Sequence, residues 1–326
     1  MSEESKMNAW VKIVLAAGMM MSLMCHCTAE EKTVYVYPSD TSLIYVAPRI
    51  PERYTLFGEE VDLSNYYLRE RFDRELVGFS FRHTQMFMIL KRANKYFPLI
   101  EPILAKNGVP DDFKYLAVIE SDLDPRVVSP AKAAGMWQIL EQTGKEGGLV
   151  INSDVDERYN IEKATQFACN YLKSVYEITH SWAIAAASYN CGRAGAMRKM
   201  ETQQCDDYFG ILFGEETNRY VFRIMMAKYF MENPQAMGFM LRKEELYYLP
   251  EADMVKVDTT VENLTDFAKS YGLSYQIIKD ANPWLRTNKI TNREGHEYYI
   301  RVPRKEELTY SVDKIKVHNT KWVVNP

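Results

Sequence analysis

The sequence predicts a mainly α protein, an array of helices over residues 64–232 followed by a small, separate βααβ module. Three observations lead there. Apolar residues recur at helical spacing through most of 64–232, Asn-Gly and proline signals punctuate that stretch where helices should stop and start, and past Pro234 the texture changes to strand, helix, helix, strand. The 326 residues are 47% hydrophobic, enough for a sizeable core and against wholesale disorder. A net charge of -4 leaves no basic footprint, which excludes nucleic acid as the main partner.

In chain order, Lys6 and Lys12 precede the uncharged apolar run IVLAAGMMMSLM at 13–24. A bilayer-spanning helix needs about 20 such residues, so the run has the proportions of a secretory signal over residues 1–29. Two exits stay open: cleavage after Ala29, or lipid attachment at Cys25 or Cys27. Residues 30–63 carry prolines and β-leaning residues and read as an extended lead-in. SNYYLRERFDREL opens a helix with Ser64 as its N-cap, and HTQMFMILKRANKYFPLIEPILAKNG is a helical run ending at Asn107-Gly108, divided by Pro98 and Pro102. Pro110 starts another helix, with Asp111 and Asp112 at the positive end of its dipole.

Residues 124–150 read as a loop and short helix, DERYNIEKATQFACNYLKSVYEI as a long amphipathic helix, WAIAAASYN as a short helix of small residues ending at Cys191-Gly192, and ETNRYVFRIMMAKYF as a further helix. In 255–303 the strands VKV and YYIRV are expected to pair over two helices. The segment 304–326 alternates like a strand and receives no assignment. Cys169, Cys191 and Cys205, an odd count without CxxC spacing, read as buried free thiols. The histidines are scattered, so no metal and no cofactor are expected.

The chemistry concentrates in KYLAVIESDLDP. On this helix Phe113, Leu116, Ala117 and Glu120 share one apolar stripe. A carboxyl donates a proton near neutral pH only where burial raises its pKa, and a helix C-terminus favours the protonated form as well. Ordinary glycoside cleavage asks for a second carboxylate about 5–9.5 Å away. Asp124 lies one turn on if the helix continued, but Pro125 biases it out of helical geometry, so the residues leave the second acid open. Equally, acids near helix ends are commonly solvated caps, Trp137 and Tyr189 suit a core, and Asn190 suits a C-cap.

The segments ES (120–121), SPAKAAGMWQ (129–138), SYNCG (188–192) and ETNRYVFRI (216–224) follow one another in the order and approximate spacing of the lytic transglycosylases, whose catalytic domain is similar to goose-type lysozyme. The chain most resembles the membrane-bound D type, which pairs this domain with LysM modules, and DERYN (156–160) is similar to that subgroup too. The resemblance implies a lysozyme-like helical domain at 98–232, a helical N-terminal extension at 64–97 and a LysM-like module at 253–303. It assigns Glu120 as the single general acid/base. Ser129 matches a serine near the acid and sugar, Gln138 the glutamine lining the sugar site, Tyr189 and Asn190 the Y-N of the third motif, and Glu216 and Tyr220 the far side of the cleft. Ser188, Met136 and Cys191 depart from the commoner residues.

The implied substrate is the glycan strand of peptidoglycan. Glu120 would protonate the oxygen between N-acetylmuramic acid and N-acetylglucosamine, then take the proton of the muramoyl 6-hydroxyl as it attacks C1, leaving a 1,6-anhydro end. An intramolecular nucleophile removes the need for a second acid to activate water. The implied location is periplasmic, with a lipid anchor in the outer membrane as one of the open exits. In the module, FAKSYGLS, IIKDANPWL and GHEYYIRVP match LysM, while Asp258-Thr259-Thr260 replaces the usual Gly-Asp-Thr. A module on a short tether would concentrate substrate at the cleft. The alternatives are a hydrolytic muramidase and a non-catalytic wall-binding protein.

Overall fold

The computed structural model describes residues 47–324. The expected signal, both candidate lipid-bearing cysteines and the first part of the lead-in lie outside the described residues. No described helix is long and apolar enough to cross a membrane.

The rest of the lead-in is a small antiparallel hairpin, β1 (Arg53–Leu56) and β2 (Glu59–Asp62), turning at Phe57 and Gly58, both with positive φ. Then come α1 (Tyr66–Ser80) and α2 (His83–Asn107). The N-cap of α1 is Asn65, whose side chain accepts from the Tyr67 and Leu68 amides; Ser64 instead donates its hydroxyl to Asp62. Helix α2 runs unbroken through Pro98 and Pro102, against the expectation that they divide it. Both prolines sit on the exposed side, while Ala93, Phe97, Ile100 and Leu104 on the opposite side are fully buried, so tertiary packing overrides the missing hydrogen bonds. As expected, α2 stops at Gly108 in the left-handed conformation.

A 3-10 turn at Asp111–Phe113 leads into α3 (Lys114–Ser121). Its residues Lys114 to Ile119 are all buried, so the anticipated apolar stripe is in fact an apolar helix on every side: α3 is the central post of the domain. After the short α4 (Glu141–Glu146) come α5 (Ile161–Thr179), α6 (Trp182–Cys191), α7 (Arg193–Gln203) and α8 (Glu215–Glu232), and α3 packs on α2 and α8. Helix α8 packs on α1, α3 and α6, and α5 on α2 and α6. Of the three free thiols only Cys169 is buried, contrary to the reading of all three as buried.

The C-terminal module pairs β3 (Ala252–Val257) antiparallel with β4 (Tyr298–Pro303) around α9 (Leu264–Ser270) and α10 (Tyr275–Ala281), with Val255 opposite Ile300. It is docked and not merely tethered. Its apolar core, built on Leu264, Ile278, Trp284 and Ile300, takes in Ala134, Val155 and Tyr159 of the helical domain. Backbone hydrogen bonds join Asp156 to Trp284 and Arg286 to Asp154, and the Arg286 guanidinium lies 4.1 Å above the Tyr159 ring. Asp154 accepts from the Thr287 hydroxyl and the Thr291 amide.

The unassigned tail is not a strand. After three 3-10 turns it returns to the helical domain, where Ile315, Trp322 and Val323 join the core. The Trp322 indole donates to the Met231 carbonyl at 2.8 Å, and its ring meets Phe97. Trp322→Ala is expected to lower the stability of the helical domain by about 3–5 kcal/mol, the usual cost of emptying a buried aromatic site, measured by denaturant unfolding.

Candidate active site

Helix α3 ends abruptly because Asp122 and Leu123 both have positive φ, 51° and 57°. The turn leaves Glu120 in the last helical turn, its side chain in the angle between α3, α6 and α8. The Tyr220 hydroxyl of α8 donates to Glu120 Oε1. Oε2 has no hydrogen-bond donor among the described residues and keeps some contact with solvent. Burial pushes the Glu120 carboxyl up to about 7. The Tyr220 hydrogen bond and the Arg223 guanidinium oppose that rise, and the charge of Glu216 adds to it. Arg223 also donates to the Ile119 carbonyl at 3.2 Å, so it holds the end of α3 as well as biasing the acid.

Tyr189, on α6, is half-buried beside Glu120; burial and the charge of Glu120 keep its hydroxyl well above the ordinary tyrosine range. It donates to the Trp137 carbonyl at 2.9 Å, and its ring stands edge-on to Tyr171. That bond ties the acid's surroundings to the loop 127–139. The loop is held from several sides. Ser121, next to Glu120, donates to the Met136 carbonyl at 2.8 Å, and the buried Trp137 indole donates to Thr165 at 2.9 Å. Arg158, paired with Asp156, reaches the carbonyls of Lys132 and Ile139. Gly135 has φ +79°, and a Cβ there would lie 1.9 Å from the Arg158 carbonyl oxygen, so only glycine fits.

The remaining expected residues divide. Glu120, Tyr189 and Tyr220 come together. Asn190 donates to Glu216 at 3.0 Å and accepts from Thr217 at 2.6 Å, clasping the end of α6 to the start of α8. Gln138 sits in the loop with φ 46°, and its amide donates to the Val127 and Gly135 carbonyls, while its side-chain oxygen accepts from no donor among the described residues. Ser129 belongs to a tight turn: its hydroxyl oxygen accepts from the Ala133 amide at 3.1 Å, and no hydrogen bond joins it to Glu120 among the described residues. Asp122 and Asp124 are neither partners of Glu120 nor free in solvent; they pair with Arg82 at 3.2 Å and Arg92 at 2.8 Å. The sequence reading missed Arg158 and Arg223, although both stand inside motifs it had singled out. No group of three or more metal-ligating side chains occurs among the described residues.

Chemically, one carboxyl near its neutral form, one oxygen held by a tyrosine and the other open, is a proton donor aimed outward. A family model described as transglycosylase SLT domain matches residues 98–209, and one described as soluble lytic transglycosylase C-terminal LysM-like domain matches 253–306. Residues 98–209 are a transglycosylase SLT domain. The chain is 25% identical over 261 residues to the membrane-bound lytic murein transglycosylase D of Escherichia coli K12, covering 77% of this chain and 56% of that protein. It is 30% identical over 123 residues to the membrane-bound lytic murein transglycosylase C of Photorhabdus laumondii, covering 33% of this chain and 34% of the relative. The chain thus spans little more than half the length of the first of these relatives. Among solved structures, the 70 kDa soluble lytic transglycosylase of Escherichia coli matches with TM-score 0.36 and 21% identity over 44% of this chain and 25% of its own. The lytic transglycosylase Slt of Pseudomonas aeruginosa matches with TM-score 0.35 and 16% identity, over 41% and 24%.

The raised pKa of Glu120 has a thermodynamic consequence. The folded protein holds this proton more tightly than the unfolded chain, so the group costs nothing below its unfolded pKa of 4.5 and destabilises increasingly as pH rises to about 7. Glu120→Gln is expected to be close to neutral at pH 4.5 and to stabilise the SLT domain by about 1–3 kcal/mol at pH 8, read from denaturant midpoints at the two pH values.

Proposed function

We propose that this protein is a peptidoglycan lytic transglycosylase that cuts the β-1,4 bond between N-acetylmuramic acid and N-acetylglucosamine and leaves 1,6-anhydro-muramoyl ends. The observation that carries the reading is the single carboxyl of Glu120, pushed up to about 7 with one oxygen open. It is the acid, and after donation the base. Protonated, it gives its proton to the glycosidic oxygen as the C1–O bond breaks. Ionised, it is steadied by the Tyr220 hydroxyl and the Arg223 charge, and it takes the proton of the same sugar's 6-hydroxyl as that oxygen bonds to C1. Protons balance and no water is consumed.

In this reading Tyr189 and Tyr220 fix the acid, and Gln138 offers its side-chain oxygen to the sugar. Ser129 shapes the loop beside the cleft, and Asn190 with Glu216 forms its far wall. The pairing of Asp122 and Asp124 with arginines supports a mechanism without a second acid, since neither is available to activate water. The match of 98–209 to the SLT domain supports the reaction class. The protein would act in cell-wall remodelling or turnover. The apolar run at 13–24 and the names of the membrane-bound relatives support export to the periplasm, with cleavage after Ala29 or an outer-membrane lipid anchor at Cys25 or Cys27 as the two exits.

Digestion of purified peptidoglycan followed by mass spectrometry tests bond and reaction together. The expected products are 1,6-anhydro muropeptides, absent with Glu120→Gln. Reducing muramic-acid ends would instead identify a hydrolytic muramidase, and release unchanged by Glu120→Gln would remove the acid from the mechanism. Tyr220→Phe removes a bond that holds the Glu120 pKa down. The alkaline limb of its rate–pH profile is therefore expected to move upward from about 7, with a roughly tenfold lower maximal rate from the less well fixed acid.

A further inference from the structure

A cavity of about 500 Å³ opens between the helical domain and the C-terminal module, and Glu120 is not in its wall. Its floor is α2, with Arg92, Lys95 and Tyr96. The segment Asp124–Arg126, which leads from α3 into the site loop, forms one side, and α10 with β4 closes the other. The volume is in the range that holds small organic ligands.

The charges in this wall do not cancel. Each acid has its own partner: Asp124 pairs with Arg92 at 2.8 Å, Asp280 with Arg126 at 2.7 Å, and Glu162 with Arg301 at 3.2 Å. Lys95 is the one cation of the wall left over, with no carboxylate or hydrogen-bond acceptor among the described residues. Its ammonium lies 5.1 Å from the centre of the Tyr96 ring. Burial lowers its pKa, and the Arg126 and Arg301 charges push the same way against the help of Asp280. A half-buried ammonium in such surroundings gains most from one added anion. Tyr247 and Tyr299, both exposed in this wall, supply flat faces of the kind on which sugar rings lie.

We propose that this cavity is a second ligand site, separate from the cleft of Glu120, which takes a carboxylate-bearing saccharide, its carboxylate against Lys95 and its ring on the tyrosine walls. The choice of a muramic-acid fragment as that saccharide rests on the function proposed above; the need for one carboxylate does not. The wall is shared between the module and the segment following α3, so an occupant stiffens the junction of the two.

N-acetylmuramic acid and N-acetylglucosamine form a matched pair of probes, alike except for the 3-O-lactyl ether that carries the carboxylate. Each is titrated into the full chain carrying Glu120→Gln and ¹³C-methyl methionine, and read at Met88 and Met254, which line the cavity. N-acetylmuramic acid is expected to shift both methyls and to bind about tenfold more tightly than N-acetylglucosamine, the worth of one charge-assisted hydrogen bond. Lys95→Met should abolish that preference and Lys95→Arg retain it, the other methionine methyls reporting that both variants are folded. Equal binding of the two sugars at these methyls, or a preference unchanged in Lys95→Met, overturns the proposal. The two readings fail separately. Anhydro products with no Lys95-dependent binding leave the enzyme without this site, and Lys95-dependent binding with no anhydro products leaves the site without that enzyme.

Discussion

A lone carboxyl stays protonated near neutral pH only where water is scarce, and the helical domain is organised around keeping it so at Glu120. Helix α3 is buried on every side, an unusual condition for a helix of eight residues, and it delivers the acid to the one point where the packing opens. Desolvation alone would hold the proton too firmly. Tyr220 and Arg223 pull in the other direction, and the balance settles near the pH at which giving and taking a proton are equally easy. The sharp left-handed pair Asp122–Leu123 then turns the chain away before a further helical turn could cover the carboxyl.

What faces the acid is held by borrowed bonds. The loop 127–139 forms no strand or helix, only isolated β-bridges and the turns at Ser129 and Gln138. It is suspended from Ser121, Tyr189, Thr165 and Arg158, one from each of the surrounding segments. Because Ala134 of this loop and Tyr159 beside it belong to the apolar core of the C-terminal module, the module is part of the scaffold that positions the loop. Its docking thus bears on the surroundings of Glu120.

The sequence made some of this legible and hid the rest for identifiable reasons. Helices α2, α5, α6 and α8 announce themselves through period and termini, and the βααβ module through its change of texture, because those signals are local. Pro98 and Pro102 misled because propensity is also local, whereas the buried face of α2 is not. Ser64 and Asn65 are both good caps and adjacent, so composition could not choose between them. Glu120 stood out by its apolar approach. Arg158 and Arg223 did not, since they act largely on backbone carbonyls, which carry no sequence signature. The docking of the module was invisible for the same reason: it runs through backbone bonds and through Ala134, Val155 and Tyr159, ordinary residues in a loop. The tail alternated like a strand because Ile315, Val317 and Val323 turn toward the core from the extended segments that follow its 3-10 turns, with no sheet around them.

That tail changes how the module is attached. The chain enters the module from the helical domain near Leu246 and, having left it at β4, comes back to pair Val323 with Leu241 and seat Trp322 against α8. Both ends of the module are therefore made fast to the same body, as a bridge deck rests on two piers, while a pendulum hangs from one. Swinging about a single linker is thereby suppressed, and the distance from the module's core to Glu120 is set by the fold and not by the length of a tether.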